Sequence, residues 1–155
     1  MTDKEKTNAE LPSILIRNQY IKDLSLEIPF APEIFDEVST NPETDIRINV
    51  EANHVKENLF EVALQVNIEA NIKEKKLFVL ELSYASVVAV NVPQEHLEPV
   101  LLIEIPRLLF PYVRSIVTNT LVDGGLPPLM LTPIDFVAMF NARAEKQEPA
   151  SDVKN

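Results

Sequence analysis

The chain has 155 residues, 46% of them hydrophobic, with a formal net charge of −10 and no cysteine. That length suits one domain with its own core, and the charge argues against nucleic acid and an anionic membrane surface as partners. Without thiols, thiol catalysis, disulfides and thiolate metal sites are excluded.

Residues 1–13 are polar and are predicted to be a disordered tail, as are residues 145–155, leaving one domain over 14–144. No apolar run follows Met1-Thr2-Asp3-Lys4-Glu5-Lys6, so no signal peptide is read there. The apolar stretch from Pro99 to Leu109 is interrupted by Glu104, Pro106 and Arg107, too broken for a membrane span. A cytoplasmic location is the resulting expectation. The apolar residues concentrate between the two tails, more than a small core can bury, and this predicts an oligomer or a partner groove.

Four segments in the first half alternate with a period of two. Leu24, Leu26 and Ile28 alternate with Asp23, Ser25 and Glu27. Ile46, Ile48 and Val50 do so against Asp45, Arg47, Asn49 and Glu51. The clearest run is 60–72, with Phe60, Val62, Leu64, Val66, Ile68, Ala70 and Ile72 on one parity. Phe78, Leu80, Leu82 and Tyr84 alternate with Val79, Glu81 and Ser83. Period two with one polar parity predicts half-exposed strands of an antiparallel sheet. The charged link Lys73-Glu74-Lys75-Lys76 makes the last two strands a hairpin. The link from Pro29 to Pro42 is too long for a turn and is expected to cross the sheet.

The period then changes. Leu101, Ile105, Leu108, Tyr112 and Ile116, with Leu109, Val113, Val117 and Leu121 beside them, predict a long helix with a broad apolar face. Pro106 and Pro111 start or kink it, and Gly124-Gly125, the only glycines, cap its C-terminus. After a proline-rich loop, Thr132 and Pro133 are expected to open a last helix carrying Phe136, Met139 and Phe140 on one face. Strands followed by helices give an α+β domain: a four-stranded antiparallel sheet with a long, kinked helix and a C-terminal helix on one face.

Catalytic patterns are missing. His54 and His96 have no metal spacing and read as exposed histidines outside the regular elements. Two adjacent glycines cannot build a phosphate-cradling loop. The strand carboxylates fall on the exposed parity, where little raises a pKa for general-acid work. The expectation is a protein that is not an enzyme and needs neither cofactor nor metal.

Two surface features remain. Asp23, Glu27 and Glu81 share the exposed parity with Val79, either as a solvated face with one stray valine or as a small interface for a basic partner. Apolar residues also stand in loops: Phe30, Ile34, Phe35 and Val38 in the crossover, Leu126, Leu129, Met130 and Leu131 later. Such loops either close over the core or line a groove for unfolded chain.

Four stretches carry a family resemblance. They are Tyr20-Ile21-Lys22-Asp23-Leu24-Ser25-Leu26-Glu27 before Pro29, Ala31-Pro32-x-x-Phe35, Leu109-Phe110-Pro111-Tyr112-Val113-Arg114, and Pro127-x-Leu129-x-Leu131-x-Pro133-x-x-Phe136. In this order and spacing the chain resembles the SecB family of bacterial export chaperones, over residues 16–140. The resemblance implies a homotetramer, a dimer of dimers, that holds unfolded precursor proteins and passes them to the ATPase SecA. It further implies that the basic, zinc-bearing C-terminal tail of SecA docks on Asp23, Glu27, Val79 and Glu81. By the same resemblance, the substrate groove falls on Phe30, Ile34, Phe35, Leu126 and Met130. The chain departs from some members in having no tryptophan in the crossover, and Ala85-Ser86 in place of a glycine pair. The alternative is a SecB-like chaperone for another client, such as an antitoxin or a stress-denatured protein.

Overall fold

Alternating sequence becomes extended chain. In a computed structural model, which describes residues 13–147, four antiparallel strands form one sheet. They are β1 (Ile14–Glu27), β2 (Glu43–Lys56), β3 (Leu59–Ile72) and β4 (Lys75–Val90). Their order across the sheet is β1-β4-β3-β2. The predicted tails lie largely outside the described residues.

The strands run further than the clean alternation because bulges reset the period. In β1, Arg17 and Lys22 are each an extra residue against β4. A bulge re-aims every side chain beyond it. Leu24 and Leu26 pair with the core residues Leu82 and Leu80, while across the Lys22 bulge Ile21 pairs with Tyr84 on that same face. The β3–β4 hairpin turns on Lys73 and Glu74, both left-handed with φ 47° and 65°. Two such residues give the right-twisted turn that matches paired strands. The β2–β3 connection also uses a left-handed residue, Glu57 with φ 49°. Since β1 and β2 occupy opposite edges, the crossover between them spans the full width of the sheet. It contains a 3-10 turn at Glu33–Glu37.

The helical layer starts with α1 (Gln94–Pro99) and continues without a break through Val100–Glu104 into α2 (Ile105–Asp123). Here the predicted kink has a specific form. Pro106 has no N–H to return to the preceding turn, and the turn before it widens. The Ile105 N–H reaches back five residues, to the Val100 carbonyl. Ile105, Leu109, Val113, Val117 and Leu121 are buried at a spacing of four and pack α2 over β3 and β4. Each such side chain is worth about 1.5–3 kcal/mol of burial. Leu108 and Tyr112, from the same predicted face, are exposed instead. The broad apolar face is thus two seams, of which the sheet takes one.

The C-terminus of α2 is capped by the glycine pair as expected. Leu126 N–H donates to Leu121 O at 2.9 Å and Gly125 N–H to Val122 O at 3.0 Å, with Gly125 at φ +80°. Gly124 lies close against β1, where a Cβ would meet Leu26 Cδ2 at 2.5 Å and have to displace that side chain. The last helix, α3, spans Phe136–Gln147. Its cap is Asp135, whose Oδ1 accepts from Ala138 N–H at 3.0 Å, rather than the expected Thr132. An aspartate next to the first helical residue caps better than a threonine separated from it by Pro133 and Ile134. The helix also takes in residues 145–147, the start of the segment read as tail.

Candidate functional site

One face of the sheet is covered by helices and the other is open. On the open face, register decides which predicted residues meet. Glu27 pairs with Val79, and Val79 pairs on its other side with Glu69. Ser25 pairs with Glu81, and Asp23 with Ser83. Val79 is therefore half-buried between two carboxylates, with Glu81 two residues along its own strand. Asp23, Glu27 and Glu81 are exposed. All four predicted residues share this face.

Sequence reasoning missed Glu69 and Arg47. Glu69 stands beside Val79 and receives Lys76 Nζ at 2.6 Å; that hydrogen bond, then the charge, holds its carboxyl below the ordinary range. Arg47 projects from β2, where its Nε meets Asp45 Oδ2 at 3.1 Å. Both lay on the alternating polar parity, but strand order was needed to bring β3 beside β4 and β2 beyond it.

A second polar cluster lies further along the same face. Tyr20 on β1 donates its hydroxyl to Glu61 on β3, reaching across β4 over Ala85 and Ala63, which share its row. These small residues leave room for the ring. Lys22 Nζ donates to the other Glu61 oxygen at 2.6 Å. The two hydrogen bonds hold the Glu61 carboxyl below its usual range, against the effect of burial. Burial first, then Glu61, pushes the Tyr20 hydroxyl up to about 12.

The predicted loop residues divide. Ile34 and Leu126 belong to the core, 2% and 4% exposed. Phe30, Phe35 and Met130 are exposed at 47%, 39% and 72%. The Phe35 ring comes within 3.6 Å of where a side chain on Gly125 would begin, so the crossover passes close to the turn that follows α2. Beside that contact is a groove of about 510 Å³, lined by Val38, Pro42, Phe78, Pro127 and Leu129 among others. Val38 and Leu129 from the two loops thus line one groove, beside the approach of Phe35 to Gly125. Phe30 lines a separate hollow of about 230 Å³ with Glu33, Ile34, Glu37 and Lys75. Thr118 Oγ1 donates to Leu129 O at 2.8 Å and ties the later loop to α2.

His54 is in strand β2, and its ring lies edge-on to Phe60 at 5.2 Å, not in a loop as expected. His96 is in the short helix α1. Among the described residues no group of histidines and carboxylates is placed to hold a metal, and no helix is long and apolar enough to cross a membrane.

Comparison with known proteins bears on these surfaces. The family model described as preprotein translocase subunit SecB matches residues 7–147. The chain is 51% identical over 145 residues to a protein-export protein SecB of Paramagnetospirillum magneticum, covering 93% of this chain and 94% of that one. It is 46% identical to the Rhodospirillum rubrum protein of the same name, covering 100% and 98%. Among solved structures, a SecB-like chaperone of Mycobacterium tuberculosis in complex with an antitoxin peptide superposes with a TM-score of 0.66. That match has 16% identity and covers 79% of this chain and 91% of that one, a likeness of fold.

Proposed function

This chain belongs to the SecB family, and from that premise we propose how its two surfaces divide the work of a preprotein-export chaperone. The protein is a chaperone that binds unfolded clients, not an enzyme. In our reading its clients are secretory precursors held in the cytoplasm, and it delivers them to SecA. The observation that carries the division is the sheet, which has helices and apolar loops on one side and an open acidic face on the other.

The open face docks the basic, zinc-bearing tail of SecA. Val79 supplies a small apolar centre, and Asp23, Glu27 and Glu81 supply charge around it. Apolar centres with charged rims give specificity and fast encounter more than raw affinity. The loops hold the precursor. Phe30, Phe35 and Met130 offer exposed apolar contacts, and the adjoining groove over Val38 and Leu129 extends them. Ile34 and Leu126 join only where a client parts the loops. Apolar burial has no direction, so such a surface accepts many sequences, and ordering costs keep the hold reversible.

The working form is a homotetramer, a dimer of dimers. Leu15, Ile21 and Leu24 are exposed on edge strand β1, and Leu108, Tyr112 and Val122 on α2, where the Tyr112 ring stacks on Tyr84 at 5.9 Å. Two apolar surfaces on different elements suit two kinds of subunit contact. A single domain between polar tails remains part of this proposal, with its C-terminal end at Gln147, where α3 ends, rather than at 144.

Glu81→Lys tests the division. It should weaken SecA binding at least tenfold while leaving affinity for a denatured precursor within about twofold, both read by titration calorimetry. Equal loss of both would refute the separation.

A further inference from the structure

Arg47 has no place in a uniformly acidic docking face, yet the register puts it there. Cross-strand pairing sets Ser25, Glu81, Asn67 and Arg47 in one row over the four strands. Glu81 and Arg47 are therefore two strand spacings apart, roughly 9–10 Å. Both line a shallow groove of about 310 Å³ that also includes Asp23, Asn49 and Gln65. One end of this groove holds the carboxylates of Asp23 and Glu81, and the other holds Arg47 with Asp45 and Glu69 at its flanks.

Asp45 meets Arg47 through Nε alone, on a side chain that is 77% exposed. A guanidinium has five N–H donors, and its terminal pair forms the fork that fits a carboxylate. Asn49 donates to Gln65 Oε1 at 2.9 Å, which leaves the Asn49 oxygen and the Gln65 amide with hydrogen-bonding capacity beside it. A wholly basic segment laid across the row would set like charges together at Arg47, which is unfavourable. A segment with a carboxylate at that point would gain an ion pair instead.

We infer that this face takes a mixed-charge segment: a lysine or arginine over Asp23 and Glu81, and an aspartate or glutamate two or three residues away on Arg47. Two or three extended residues span roughly 7–10 Å, which matches the row. The inference rests on the docking role proposed above and specifies the chemistry of the partner.

Two synthetic peptides test it, identical in their lysines and differing only by glutamate or glutamine three residues from the central lysine. Binding to the full chain is read by calorimetry. Against a chain of net charge −10, bulk electrostatics favours the glutamine peptide, so a preference for glutamate reports the local contact. The wild-type chain should prefer the glutamate peptide about threefold to fivefold, the range of a partly exposed ion pair. Arg47→Gln should abolish the preference, Arg47→Glu should reverse it, and Glu81→Lys should weaken both peptides. Equal binding by the wild type, or an unchanged preference in Arg47→Gln, overturns the inference. If Glu81→Lys still weakens both peptides in that case, the docking role survives. Failure of both peptides to bind at all overturns the inference and the docking role together.

Discussion

Tyr20, Lys22 and Glu61 show how one extra residue changes what a strand does. Carried back through Lys22, the alternation of Leu24, Leu26 and Ile28 would place Tyr20 inside. The bulge at Lys22 moves it to the open face instead, where it meets Glu61. No period in the sequence announces a bulge, so this cluster was not legible, whereas Asp23, Glu27, Val79 and Glu81 lie beyond the bulge and were. The cluster has a pH signature. The Glu61 carboxyl is held below its unfolded value, so its stabilisation is present above the unfolded pKa and is lost as pH falls through the folded one. Tyr20 is raised to about 12, so its share is present below the unfolded value of 10.0 and is lost as pH rises through 12. Glu61→Gln should therefore cost about 1 kcal/mol at pH 7, and urea unfolding should show that deficit shrinking as the pH is lowered below 4. A deficit that holds steady to pH 3 would mean that the ionised carboxylate contributes nothing.

At the scale of elements, the strands were legible because a half-exposed sheet writes its period directly into the chain. The α2 cap was legible because a left-handed residue past a helix end favours glycine, the conformation that Gly125 adopts here. Harder to see were the wide turn at Val100–Glu104 and the start of α3 at Phe136. Each depends on which backbone N–H finds a partner, and several residues near the prolines could have served. One turn is poorly matched to its residues. Lys73 and Glu74 both hold positive φ without being glycine or asparagine, at a cost of roughly 1–2 kcal/mol each. Replacing the pair by Asn-Gly suits this turn type and should raise stability by about 1 kcal/mol, seen as a higher urea midpoint with an unchanged slope. A lower midpoint would show that the charged pair matters more than its backbone.

The whole molecule is a sheet with one covered and one open face, and the function proposed for it follows from keeping them apart. Charge accumulates where no helix packs, and apolar side chains remain exposed on the crossover, on β1 and along one seam of α2. The sequence's surplus of apolar residues pointed to partners without saying where they bind. Which loop residues close the core and which face outward was not legible, because Ile34 and Phe35 are neighbours of like hydrophobicity and only the 3-10 turn aims them apart. Holding a non-native precursor without chemistry is the activity proposed for the loop surface. Its most direct test is the refolding rate of a denatured secretory precursor mixed with the full chain in the absence of nucleotide, with the mass of the complex measured alongside. The expected result is refolding slowed in proportion to the chaperone present, in a complex of four chains with one precursor. An unchanged refolding rate beside a monomeric chain would contradict it.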